Sequence, residues 1–186
     1  MRWMGLALAA SFLLPPSARA VEYEGPVYTY YDVFGTPAEI VQQMKMKGRD
    51  GAFGYTEYHI DYRFSSAQSP QGCGVTAATV TLHVSILLPR LVGEVSPDLQ
   101  RSWDAFEPNL RVHEAGHEAI GMTGAKEVET ALLAVGGQPN CAATRAAAKA
   151  AADAIFAELG NRDQSYDKQT EHGKTQGAVF RWIGKN

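Results

Sequence analysis

From Phe53 to Ser65 the chain alternates strictly. Thr56, Tyr58, Ile60, Tyr62 and Phe64 fall on one side, and Tyr55, Glu57, His59, Asp61 and Arg63 on the other. Thr76 to Leu88 repeats the pattern, with Val80, Leu82, Val84 and Ile86 opposite Thr79, Thr81, His83 and Ser85. A repeat of two is the side-chain period of a strand, so the chain must build two half-buried strands and cover only one face of each. The cover follows directly. Ser96-Pro97-Asp98 is a helix-start signal, and the spacing predicts helix from Leu99 to about Val135, closed by Gly136-Gly137. Pro108 marks either a break in it or the first turn of a second segment. Cys141 to Leu159 is Ala-rich and predicts one more long helix, ended by Gly160-Asn161. Upstream, Val27 to Val33 reads as a strand, and Thr36-Pro37 opens a helix running to about Lys47. The Ser, Gln, Pro and Gly residues before Cys73 predict a loop, and Pro89 a strand end. The implied class is α+β: a small, mainly antiparallel sheet against two or three long helices, without repeats or linkers.

The first twenty residues stand apart. Arg2 gives a positive start, Trp3 to Leu14 an apolar run and Ala18-Arg19-Ala20 a small-x-small cleavage site, so residues 1–20 read as a secretory signal and 21–186 as one domain. The apolar run is too short to span a bilayer, and no Cys sits at the cleavage point to take a lipid, so no membrane anchor is expected after cleavage. Losing Arg2 and Arg19 moves the formal charge from −3 to −5, which argues against a nucleic-acid partner. In an exported chain the only two cysteines, Cys73 and Cys141, are most simply a disulfide.

The chemistry sits in Leu110-Arg111-Val112-His113-Glu114-Ala115-Gly116-His117, an HExxH pattern inside the predicted helix. At 3.6 residues per turn, His113 and His117 share one face a turn apart, so both imidazoles can reach a single Zn²⁺. Glu114 lies about 100° round the axis, beside the ion without ligating it, where a general base is needed. Two histidines do not hold a catalytic zinc, so a third ligand is required. Six residues after the second histidine stands Thr123, and Glu127 and Glu129 lie too far along the same helix to fold back. His172 follows the next helix and could be returned to the site by it. His59 and His83 fall on the polar faces of their strands and are assigned to no metal, and Gly173-Lys174-Thr175 lacks the upstream glycine of a phosphate loop.

Trp103, His113-Glu114, His117, both cysteines, Leu88-Pro89, Tyr166-Asp167, Thr170, His172-Gly173 and Gln176-Gly177 together mark a resemblance. The chain resembles the bacterial family of predicted secreted zinc-dependent proteases, whose shared domain is one of unknown function, over nearly the whole mature length. The resemblance implies a zincin-like fold, His172 as the third ligand of one Zn²⁺, and Tyr166 and Asp167 close by. On that footing Tyr166 is a candidate hydrogen-bond donor to an oxyanion, and Asp167 a candidate for orienting a ligating imidazole.

The function expected is a secreted or periplasmic endopeptidase acting on a peptide or protein. Zn²⁺ polarises the scissile carbonyl, Glu114 deprotonates the attacking water, and the proton passes to the leaving amine. The substrate is expected to lie as an extended strand, with the strand around Thr79 to Leu88 as a candidate edge. Two other functions share the same residues: a periplasmic zinc-binding or structural protein without turnover, and a zinc amidase acting on the cell wall.

Overall fold

A computed structural model describes residues 21–184 of the chain. The signal peptide expected over residues 1–20 lies outside the described residues. The elements in order are β1 (Val21–Glu22), β2 (Val27–Val33), α1 (Pro37–Lys47), β3 (Tyr55–Ser69), β4 (Gly72–Leu91), α2 (Pro97–Leu133) and α3 (Cys141–Thr170), with a 3₁₀ turn at Lys174–Gln176. Among the described residues no helix is long and apolar enough to cross a membrane.

The sheet is built around β4. Along one side it pairs antiparallel with β3, from Tyr55↔Leu87 to Ser69↔Gly72, and along the other it pairs parallel with β1 and then β2. The sheet is therefore mixed but mainly antiparallel, a long antiparallel hairpin with short parallel additions. The strand expected as the edge is central. β3 forms one edge, and β1 and β2 form the other on the far side of β4. The loop expected before Cys73 shrinks to Pro70-Gln71, and pairing runs up to it on both sides. Pro89 does not stop β4. Val92 donates to the Val33 carbonyl, so by two-residue alternation Pro89 faces away from β2, toward the side where β3 has already ended. A ring without an N–H costs the ladder nothing there.

The alternation predicted from sequence is the burial pattern observed. Ala78, Val80, Leu82, Val84, Ile86 and Leu88 are buried on one face of β4, with Ile60 beside them on β3. Against that face pack Leu99, Trp103, Phe106 and Leu110 of α2, with Phe106 edge-on to Trp103, Phe53 and Phe180. Burial of a large aromatic side chain of this kind contributes about 2–3 kcal/mol.

α2 starts where the sequence says, with Ser96 accepting from the Leu99 N–H and Pro97 in the first turn. It runs through Pro108 without a break. The missing N–H and ring clash cost about 3 kcal/mol, and the buried anchors Phe106 and Leu110 on either side hold the helix together. α3 likewise ignores the stop expected at Gly160 and continues to Thr170. A helical glycine costs only about 1 kcal/mol relative to alanine. Beyond it Arg162 pairs with Glu127 of α2 at 2.8 Å, and Tyr58 of β3 donates to Asp163. These tertiary ties outweigh the local stop signal and carry Asp163, Tyr166 and Asp167 onto the flank of α2.

Cys73 and Cys141 form a disulfide that ties the start of β4 to the start of α3 across 68 residues of sequence. Paired backbone hydrogen bonds between Cys73 and Gln138 lie beside it.

Candidate metal centre

His113 and His117 project from α2 toward α3, and their rings are 5.0 Å apart. Each uses its two nitrogens differently. Nδ1 of His113 lies 3.1 Å from Gln176 Oε1, and Nδ1 of His117 lies 2.8 Å from Asp163 Oδ1. Both Nε2 atoms converge on one carboxylate oxygen, Asp167 Oδ1, at 3.2 and 3.1 Å. The Nδ1 atom of His172 lies 3.6 Å from that same oxygen. Three imidazoles thus surround one point on Asp167. His113, His117 and Asp167 each offer a donor atom to a group that could hold a metal ion. His172 stands at the rim, its side chain 75% exposed, whereas that of His113 is 6% exposed.

α3 sets this geometry. Asp163, Tyr166, Asp167 and Thr170 follow the i, i+3, i+4, i+7 spacing of a single helix face. The helix ends at Glu171 in the left-handed conformation, followed by His172 at φ 54° and Gly173 at φ 82°. That turn reverses the chain and sets His172 over the end of the helix, with Gly173 against His113. A side-chain carbon at Gly173 would stand 3.0 Å from His113 Cγ.

Tyr166 lies behind the imidazoles rather than in front of them. Its ring stacks on His113 at 5.2 Å and meets His117 edge-on at 5.0 Å. Its hydroxyl donates to the His113 carbonyl and accepts from Gln176 Nε2. Gly116, one of the two unspecified residues of HExxH, makes room: a Cβ there would lie 2.0 Å from the tyrosine oxygen.

Glu114 is buried at 3% exposure, and Thr56 of β3 donates to its Oε2 at 2.7 Å. Burial pushes its carboxyl above the usual carboxylate range, against the Thr56 hydrogen bond and the His117 charge. Burial likewise holds the His113 imidazole below its ordinary value. For His117 burial again acts against the charge, but the Asp163 hydrogen bond with the Asp167 and Glu114 carboxylates outweighs it, and the ring titrates higher. A cleft of about 360 Å³ opens over the group, walled by Phe53 to Thr56 on one side and by Glu114, Asp167, His172 and Lys174 on the other. Tyr31 fixes the first wall by donating to the Phe53 carbonyl at 2.5 Å.

Of the residues predicted from sequence, His113, Glu114, His117, Asp167 and His172 line this cleft. Tyr166 supports it from behind. Asp163, Gln176, Thr56 and Gly54 were not assigned roles by sequence reasoning. Asp163 carried a usable signal, since it stands four residues before Asp167, but the helix predicted to stop at Gly160 concealed the shared face.

Fold and site together define an α+β protein that gathers two histidines of an HExxH helix and an aspartate of the next helix beneath a cleft. The chain belongs to a family described as bacterial protein of unknown function (DUF922), whose model matches residues 28–173. That span takes in every cleft residue named above except Lys174, and leaves Gln176 outside. No curated protein and no solved structure matches the chain.

Proposed function

We propose that this protein is an exported zinc-dependent peptidase whose ion is held by His113, His117 and Asp167, with Glu114 as general base. The observation that carries the reading is the convergence of two Nε2 atoms on one carboxylate while both Nδ1 atoms are engaged by Asp163 and Gln176. Metal-ligating imidazoles characteristically have their second nitrogen held in this way. Imidazole and carboxylate donors at this spacing fit zinc. His172, given by the resemblance as the third ligand, lies farther out, and Asp167 takes that place in the proposal. When bound, a zinc ion supplies Lewis acidity toward a carbonyl and makes water acidic enough to ionise near neutral pH.

The protein's own groups supply the rest. Glu114, raised in basicity by burial and aimed by Thr56, takes a proton from water in the cleft and returns it to the leaving amine. Lys174 places a positive charge at the cleft wall. Tyr166, its hydroxyl committed to the His113 carbonyl, acts as a positioning residue. The outer edge of β3 begins at Tyr55 beside Glu114, so an extended peptide adding to that edge would pass the base.

The test compares zinc content and peptide hydrolysis in wild type, Glu114→Gln and Asp167→Ala. Glu114→Gln is expected to keep the ion and lose about 10²–10⁴ in rate, and Asp167→Ala to lose the ion. Unchanged hydrolysis in Glu114→Gln would exclude it as the base. The nearness of His172 to Asp167 favours a second reading, a closed four-ligand site without turnover. Inactivity toward peptides and peptidoglycan alike, with the ion bound, would select it, and activity on peptidoglycan alone would select a cell-wall amidase.

A further inference from the structure

The chain has five histidines, and the cleft uses three of them. The remaining two face each other. The β3–β4 register sets His59 directly opposite His83, on the sheet face turned away from α2, with side chains 73% and 63% exposed. Asp61, two residues further along β3 and so on the same face, reaches both rings. Its Oδ1 lies 3.1 Å from His59 Nε2 and its Oδ2 lies 3.5 Å from His83 Nε2.

We infer that His59, His83 and Asp61 form a second, surface metal site for a divalent transition ion such as zinc, nickel or copper. Paired imidazoles with a carboxylate suit these ions rather than calcium or magnesium, which prefer oxygen alone. Directly opposed residues of an antiparallel pair have Cβ atoms about 4.5–5.5 Å apart. The donor atoms of the three side chains are not gathered within 4.8 Å of one another, so binding must turn the exposed rings toward a shared ion. The backbone beneath is regular, since the irregularity in the hairpin falls later, between Ser65 and Ser66. Binding therefore has only side-chain rotamers to order.

The surrounding charges leave Asp61 for this role. Arg63 and the Thr81 hydroxyl go to Glu22, and Arg49 goes to Glu57. Among the described residues the Asp61 carboxylate meets only the two imidazoles. Water completes the coordination of so exposed an ion, which makes it exchangeable and weaker than one in the cleft. The site is independent of the function proposed for the cleft.

The experiment uses the mature protein with the cleft disabled by His113→Ala and His117→Ala, titrated with Ni²⁺ at pH 7.5 in a calorimeter. One ion per chain is expected. Adding His59→Ala or His83→Ala is expected to weaken it by at least about tenfold. With substoichiometric Ni²⁺, the ring resonances of His59 and His83 should broaden before any others. Circular dichroism reports whether each variant keeps its fold; His59 and His83 are exposed, but His113 and His117 are not. If loss of the latter pair unfolds the chain, the titration is run on the otherwise unmutated protein, where His59→Ala or His83→Ala should remove one of two bound ions. No binding in the cleft-disabled chain, or binding unaffected by either substitution, would overturn the assignment.

Discussion

Gly54→Ala is a one-carbon change with a calculable consequence. A Cβ built at Gly54 would stand 2.4 Å from Glu114 Oε1, 2.9 Å from its Cδ and 3.0 Å from its Cγ. Ordinary contact lies near 3.5 Å, so the carboxylate must withdraw by about 1 Å. It cannot do so freely, because it is buried and Thr56 holds its other oxygen at 2.7 Å. Overpacking of this kind costs about 1–3 kcal/mol, and in a domain of this size each kcal/mol lowers Tm by about 2–4 °C. A catalytic group misplaced by about 1 Å can cost about 10²-fold in rate. Thermal unfolding of wild type, Gly54→Ala, Glu114→Ala and the double variant separates the two effects. The destabilisation by Gly54→Ala should largely vanish once Glu114 is truncated, because the colliding atoms are gone. Additive Tm changes in that cycle would refute the steric argument whatever the activity does. Full kcat/KM in Gly54→Ala would refute the placement of Glu114 at the reacting centre.

Three further outcomes are expected. In metal-free protein, Glu114→Gln should raise Tm at pH 8 by about 2–4 °C for each kcal/mol relieved. Because the folded carboxyl titrates above its unfolded value, its ionisation penalty is complete at high pH and absent below the unfolded pKa, so the two melting curves should converge near pH 3. Asp163→Asn should weaken zinc binding by about 10–100-fold in a competition assay with a chromophoric chelator, because the carboxylate that holds His117 Nδ1 becomes a neutral amide. Reduction of Cys73–Cys141 should cost about 2–4 kcal/mol, read as a lower urea midpoint in the presence of reductant.

The elements were legible wherever periodicity and cap chemistry agreed. The alternations of β3 and β4, the Thr36 and Ser96 caps and the HExxH face of α2 each appear where local rules place them. Local rules failed where a distant contact outweighed them. Pro89 and Gly160 are stop signals by composition, yet the first faces an unpaired side of β4 and the second is bridged by contacts to α2 and β3. The central place of β4 was also out of reach, since the partners of its two sides are separated from it by up to 59 residues, as Val21 is from Val80. An alternating strand reads the same at an edge or in the middle when only one face is covered.

The site shows a second limit of the same kind, because part of it is specified by side chains that are missing. HExxH leaves two positions open, but here Gly116 is not open: any β-carbon would strike Tyr166, whose ring backs both imidazoles. Gly54 and Gly173 stand in the same relation to Glu114 and His113. Each of the three lies on a different segment, and each is the complement of a group that the proposed chemistry needs held still. Read singly they are turn formers or weak helix positions, and nothing in a one-dimensional pattern connects them. Only the fold shows that they form a mould around the His113, Glu114 and Tyr166 side chains. Alanine at 54 or 116 should therefore disturb the cleft more than it disturbs the backbone segment that carries it.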